Sequence, residues 1–293
     1  MRKEFVQLMA NELASNPNSA LILGDIGVFG HRKSMANYPD RVLNIGILEQ
    51  SMVSFAAGFA IEGITPTVHT IAPFLVERAF EQIKIDFGYQ NLGGNFVSVG
   101  GSLDYSALGA THHCPGDVGM LLNVPTAEIY VPGTAEEFSS LFRGANRNQN
   151  ISYFRLSESS NRESIDMDFQ KGSLIQKGEL ATVLAVGPML DMVIEATQDL
   201  NVSVLYYNSI SPFDEELLRT NLESGKLLLV EPFYENTLAP IIQHVLFDKK
   251  VMVKTKGIPR IFLTKYGKTQ EHYEALGLTA MSIKKNLQDL LNA

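Results

Sequence analysis

The sequence predicts an α/β protein of two domains, each a mostly parallel sheet with helices on both faces. Three observations carry this expectation. Short β-rich runs alternate with stretches of helical spacing through the first half, which implies parallel pairing with helices over the sheet. A polar stretch rich in Ser and charge then breaks the rhythm. Beyond it the alternation restarts. The 293 residues suffice for two cores, and 45% hydrophobic with 19% charged residues suits a globular chain rather than a disordered one.

Taken in order, "MRKEFVQLMANELA" has the spacing of an amphipathic helix and lacks the apolar core and cleavage site of a signal peptide. "SALILG" (19–24), "RVLNIG" (41–46), "TPTVHT" (65–70), "NFVSVG" (95–100), "AEIYVP" (127–132) and "ISYFRL" (151–156) read as strands. Residues 73–89 read as helix, because Val76, Phe80, Ile83 and Phe87 recur at steps of four, three and four. Another helix is expected to begin at Thr134, with Glu137 reaching back to complete a capping box. Residues 157–178 show no sustained periodicity. The expected division is therefore a first domain over 1–160, a linker over 161–177 and a second domain over 178–293. In that second domain "ELATVLAVG", "NVSVLYYN", "KLLLVE" and "PRIFLT" read as strands. Ser211-Pro212 reads as a helix start, and the terminal "TAMSIKKNLQDLLNA" as an amphipathic helix opened by Thr279.

Composition narrows the function. A net charge of −8 without a Lys/Arg cluster argues against a nucleic-acid surface. The single cysteine, Cys114, excludes an internal disulfide framework and points to a reducing compartment. No apolar run reaches the ~18–20 residues of a membrane span. The expectation is a soluble, cytoplasmic protein.

Three places carry residues suited to chemistry. In "RVLNIGILEQ" (41–50) an apolar run ends on Glu49 and a second apolar run follows with no turn between. Either Glu49 sits in the first turn of a helix, favoured by the dipole, or a ligand partners a carboxylate held out of water. Strand-to-helix junctions at the carboxyl edge of a parallel sheet are where ligands usually sit. "GDIG" (24–27) places Asp25 at another such edge or in an ordinary turn; it is neither a dinucleotide fingerprint nor a phosphate loop. "GATHHC" (109–114) sets His112 and His113 beside Cys114, a spacing wrong for zinc but suited to a polar substrate site. His31, His69, His244 and His272 have no second group at a suggestive spacing.

In their order, "GDIG", "RVLNIGILEQSMVSFAAGFAIEGITPTVHTIAPFLVERAFEQI" and "GATHHCPGDVGMLLNVPTAEIYVPGTAEE" closely resemble the pyrimidine-binding domain of transketolases and of the sister deoxyxylulose-phosphate synthases. "SISPFDEELL", "KLLLVEP" and "LGLTAMSIKKNL" resemble the C-terminal domain that follows in that family, so the resemblance spans nearly the whole chain. It implies thiamine diphosphate as cofactor. Glu49 would then hydrogen-bond the aminopyrimidine ring and drive it to the imino form that takes the thiazolium proton. Asp25 and Ile26 would lie against the thiazolium side and Phe74 would stack on the aminopyrimidine. His112, with His113 beside it, would meet sugar hydroxyls near the reacting carbon, Arg2 would reach an acceptor phosphate, and Arg78 matches an arginine of part of the family.

The resemblance also implies what lies elsewhere. Family members bind the diphosphate and Mg2+ (or Ca2+) through a Gly-Asp-Gly motif and a downstream Asn, and "GDIG" is not that motif. The chain resembles the second half of a split transketolase whose partner subunit carries the diphosphate domain and the metal, most simply in a two-plus-two heterotetramer. The substrate end departs from the family pattern: Leu108 stands for an Asp, Gly100 for a His, Glu158 for an Arg and Phe29 for a Ser. The implied reaction is two-carbon transfer, ketol or acetyl, onto an unusual sugar. The alternatives are the β subunit of a 2-oxoacid dehydrogenase and a non-catalytic assembly subunit.

Overall fold

The computed structural model describes residues 1–146 and 148–293. Its strands are β1 (Ser19–Leu23), β2 (Val42–Asn44), β3 (Thr65–Ile71), β4 (Gly94–Val99), β5 (Ala127–Tyr130), β6 (Ile151–Arg155), β7 (Ser173–Gln176), β8 (Thr182–Val186), β9 (Ser203–Tyr207), β10 (Ser209–Ser211), β11 (Lys226–Tyr234) and β12 (Met252–Ile258). They form two sheets, in the orders β10-β5-β6-β4-β3-β1-β2 and β12-β11-β8-β9-β7. Pairing is parallel except at β10 against β5 and β7 against β9. Every residue of β1, β4, β6, β8 and β9 is buried, as continuous apolar strands covered on both faces must be.

All six expected strands of the first half are present. In the second half, the stretch expected to be a linker contains β7, whose polar "SLIQ" pairs antiparallel at the sheet edge. "PRIFLT" is irregular, and the strand precedes it as β12, in which Lys254 and Lys256 alternate with less polar positions. Ser211 ends β10 and the Ser211–Pro212 peptide is cis. The cap of the following helix, Glu215–Asn221, is Asp214, whose carboxylate accepts from the Leu217 amide. The 73–89 stretch is helical but partly π-helical, over Pro73–Glu77 and Ile83–Tyr89.

Helix Ala135–Ala145 begins as expected, with Thr134 Oγ1 accepting from the Glu137 amide at 3.2 Å. Glu137 does not close the box on the cap residue. Its buried carboxylate accepts from the amides of Gly133 and Ile165, the Tyr206 hydroxyl and the Asn208 side chain. It therefore ties helix Ala135–Ala145 to β9 of the second sheet, and a buried charge so fully hydrogen-bonded is tolerated. Thr134→Ala is expected to lower stability by about 1 kcal/mol, read as a fall in urea midpoint at unchanged m-value.

Candidate active site

The chain leaves β1 to pair β2 on one side and β3 on the other, so the order of connection reverses at β1. Such a switch opens a crevice at the carboxyl ends of the strands. Four neighbouring strands, β4, β3, β1 and β2, deliver side chains there. After β1 comes Asp25, at φ 65°, whose amide donates to Asn44 Oδ1 at 2.9 Å while Asn44 Nδ2 returns a bond to its carboxylate. After β2 comes Glu49, the first residue of helix Glu49–Ile61. After β3 come Phe74 and Arg78, and after β4 comes the loop that carries Tyr105 and His112.

Glu49 is only 1% exposed. Its Oε2 accepts from Arg78 Nη1 at 2.6 Å, and its Oε1 is buried with no hydrogen-bond partner. The Arg78 guanidinium also lies over the Phe74 ring, 4.2 Å from its centroid. Phe74 meets His112 edge to face at 5.2 Å, and His112 meets Tyr105 at 6.3 Å. Glu49, Arg78, Phe74 and His112 are thus one continuous group. Ile26, Phe74 and Tyr105 fringe the same buried apolar cluster that includes Ile71 and Val99.

Past Tyr105 the crevice runs into a cavity of about 350 Å³ lined by Arg2, Lys3, Gly100, Tyr105 and Glu158. Gly100 has φ +74°, and the Tyr105 ring fills the space a Cβ would take. Any side chain at position 100 would collide with that ring, so the loop as folded requires glycine there. His113 belongs to a different set of contacts. It faces His272 at 5.8 Å and lines a small cavity with Glu77 and Tyr234, and its pKa is lowered by burial and by His272.

Beneath the 102–114 loop lies a buried ion pair that sequence reading missed. Arg155 Nε donates to Asp117 Oδ2 at 2.7 Å, and both side chains are at most 1% exposed. Arg155 Nη2 also donates to Ser102 Oγ and to the Cys114 carbonyl. Ser102 and Cys114 exchange backbone hydrogen bonds, closing the base of the loop that presents Tyr105 and His112. The available signal was a lone Arg at the end of the otherwise apolar strand "ISYFR".

His31 and His69 pack with Phe5, and His69 Nδ1 lies 2.7 Å from the Val97 carbonyl oxygen. Burial, reinforced by Arg2, lowers the His31 pKa to about 4, and burial lowers that of His69 to about 3. Unfolded histidines take up protons near pH 6.5, whereas these stay neutral until far lower, so the unfolded chain binds more protons through that window. Stability is expected to fall as pH drops from about 6.5 towards 4, by at most about 1.4 kcal/mol per pH unit for each imidazole. Urea midpoints compared near neutral and acidic pH should show it, with a shallower loss in His69→Gln.

A crevice at the carboxyl edge of a parallel sheet, holding a buried carboxylate bonded on one oxygen only, with an arginine and an aromatic ring beside it, is the candidate ligand site of this α/β fold. The chain belongs to the transketolase family: residues 1–163 match the family model for the transketolase pyrimidine binding domain. It is 34% identical over 98% of its length to an uncharacterized 33.6 kDa protein in the fasciation locus of Rhodococcoides fascians, covering 93% of that protein. It is 29% identical over 66% of its length to an apulose-4-phosphate transketolase subunit of Actinobacillus succinogenes, covering 65% of it. It is 30% identical to the 1-deoxy-D-xylulose-5-phosphate synthase of Magnetococcus marinus, of which it spans 43%. The fold matches a split gene transketolase described as an inactive beta4 tetramer, with TM-score 0.86 and 23% identity over 99% of this chain and 97% of that one. It also matches 46% of the Campylobacter jejuni transketolase with TM-score 0.82 and 18% identity over 98% of this chain.

Proposed function

We propose that the chain is the pyrimidine-binding subunit of a thiamine diphosphate-dependent, transketolase-like enzyme that moves a two-carbon unit, ketol or acetyl, to an aldehyde or ketone acceptor. The observation that carries this reading is Glu49 Oε1, a buried carboxylate oxygen without a partner, on a side chain that Arg78 links to the Phe74 ring. A protonated ring nitrogen of the cofactor would supply the missing donor, so the residues present fit the group. When bound, the cofactor supplies a carbanion that adds to a carbonyl carbon.

The work left to this chain is positioning and proton handling. Glu49, buried and with one oxygen unpartnered, can share a proton with a ligand ring nitrogen out of water, where such sharing is strong. Phe74 offers the stacking face, and Asp25 and Ile26 border the other end of the crevice. His112, half-buried beside Phe74, can donate to or accept from a sugar hydroxyl. Arg2 and Lys3 attract an anionic group at the far end, while Glu158 on the same cavity wall disfavours a second phosphate there. This mixed wall favours an unusual or modified sugar over an ordinary aldose phosphate.

The diphosphate and Mg2+ (or Ca2+) would be held by a partner subunit, most simply two of each chain together. Among the described residues, no group of three or more His, Cys, Asp or Glu is placed to hold a metal ion. Phe29, Ile47, Leu48 and Phe55 are exposed around the crevice, an apolar rim suited to a protein partner. A split relative described as inactive as a beta4 tetramer is in keeping with an activity that needs a second kind of chain.

Purification from the native host under conditions that preserve complexes, with mass spectrometry and assay of bound thiamine diphosphate, tests the reading. A partner carrying the diphosphate motif, together with cofactor, is expected. A lone chain without cofactor would overturn it in favour of an assembly role. Efficient exchange between xylulose 5-phosphate and ribose 5-phosphate would overturn the unusual acceptor.

A further inference from the structure

The two groups on which the cofactor reading rests, the Glu49 carboxylate and the Phe74 ring, are already engaged by one side chain. Arg78 donates to Glu49 Oε2 at 2.6 Å, and its guanidinium carbon lies over the Phe74 ring, 4.2 Å from the centroid. We infer that Arg78 is the resident occupant of the aminopyrimidine place, a latch that the cofactor must displace, and that it sets how readily the site loads. This inference rests on the function proposed above and concerns the order of events at the same site.

The chemistry is matched. A guanidinium is planar, carries in-plane N–H donors and stacks on aromatic faces, as an aminopyrimidine does. Arg78 is the sole hydrogen-bond partner that the described residues give to the Glu49 carboxylate, so without it the buried charge would stand alone, which is costly. The competition is for the Phe74 face: a donor arriving at the free Oε1 would keep the carboxylate partnered while Arg78 swings off the ring. The exit is open, since the Arg78 side chain is 37% exposed.

Local backbone form makes the overlap. Pro73–Glu77 is π-helical, and the Arg78 amide closes onto the Pro73 carbonyl rather than continuing an α-helical ladder. The wide turn sets residues 74 and 78 one above the other while Glu49 approaches from the neighbouring helix. Phe74 packs against the buried cluster, its ring also meets His112 edge to face, and the Arg78 guanidinium lies over its face. Two planar groups do not share that surface.

A latch taxes affinity by the fraction of molecules in which it is open. The test measures thiamine diphosphate binding by calorimetry to this chain assembled with its diphosphate-binding partner, in the wild type, Arg78→Ala and Arg78→Lys. Arg78→Ala is expected to bind about tenfold tighter or more. Arg78→Lys, which keeps the charge but not the flat fork, is expected to fall between. Equal or weaker binding by Arg78→Ala overturns the latch and leaves the proposed function standing, because cofactor still binds. No binding by any of the three overturns both. Should Arg78→Ala fail to fold, a crystal structure of the wild-type complex with bound cofactor decides. Arg78 released from Glu49 and Phe74 supports the latch, and Arg78 still on both overturns it.

Discussion

Glu49→Gln is expected to lower kcat of the assembled enzyme by about 10²- to 10⁴-fold, the range removed with a positioned acid–base group. The substitution is nearly isosteric, and its amide oxygen can still accept from Arg78, so packing at the start of helix Glu49–Ile61 is kept. What is lost is the capacity to share a proton at the oxygen that has no protein partner. That oxygen is where a ligand donor would meet the carboxylate. The measurement is single-turnover and steady-state rate with the partner present, alongside thermal unfolding to show the fold is intact. A kcat unchanged in a folded complex would remove Glu49 from the chemistry and leave an assembly role.

Arg155→Met is expected to destabilise the fold by about 3–5 kcal/mol, because it strands the Asp117 carboxylate in the interior. Tyr153 still donates to Asp117 Oδ2, but Oδ1 has no partner even in the intact protein. Loss of the bonds to Ser102 Oγ and the Cys114 carbonyl also frees the base of the loop that carries His112. Chemical denaturation of the single variant and of Arg155→Met with Asp117→Leu separates these effects. The double variant is expected to recover more than half of the loss, since replacing both partners of a buried pair by apolar groups is often close to neutral. A double variant as unstable as the single one would show that the loop contacts dominate.

Local signals made most of the architecture legible. Strands buried on both faces have to be continuously apolar, so "SALIL" and "NFVSV" announce themselves. The caps at Thr134 and Thr279 need only a hydroxyl and an amide three residues on, and both are in place. Edge strands carry weaker patterns, because one side of the ladder is solvated. That is why polar β7 was lost in an expected linker and why β12 was displaced into "PRIFLT". Antiparallel β10, three residues from the second half added to the first sheet, has no sequence signature at all.

The same division runs through the site. Glu49, Phe74, Arg78 and His112 were each legible as residue types in a family order, because carboxylate, aromatic ring and imidazole chemistry is written in the side chain itself. Their mutual contacts depend on four strand ends meeting at one edge. Only the tertiary structure places the Arg78 guanidinium on both Glu49 and Phe74, turns His113 away towards His272, and fills the space beside Gly100 with Tyr105. The sequence by itself determined which elements form and which chemistry is available, since these follow from short-range pattern and functional-group identity. The pairing of a buried charge with its partner was decided by distances between residues tens of positions apart, and no local pattern encodes those.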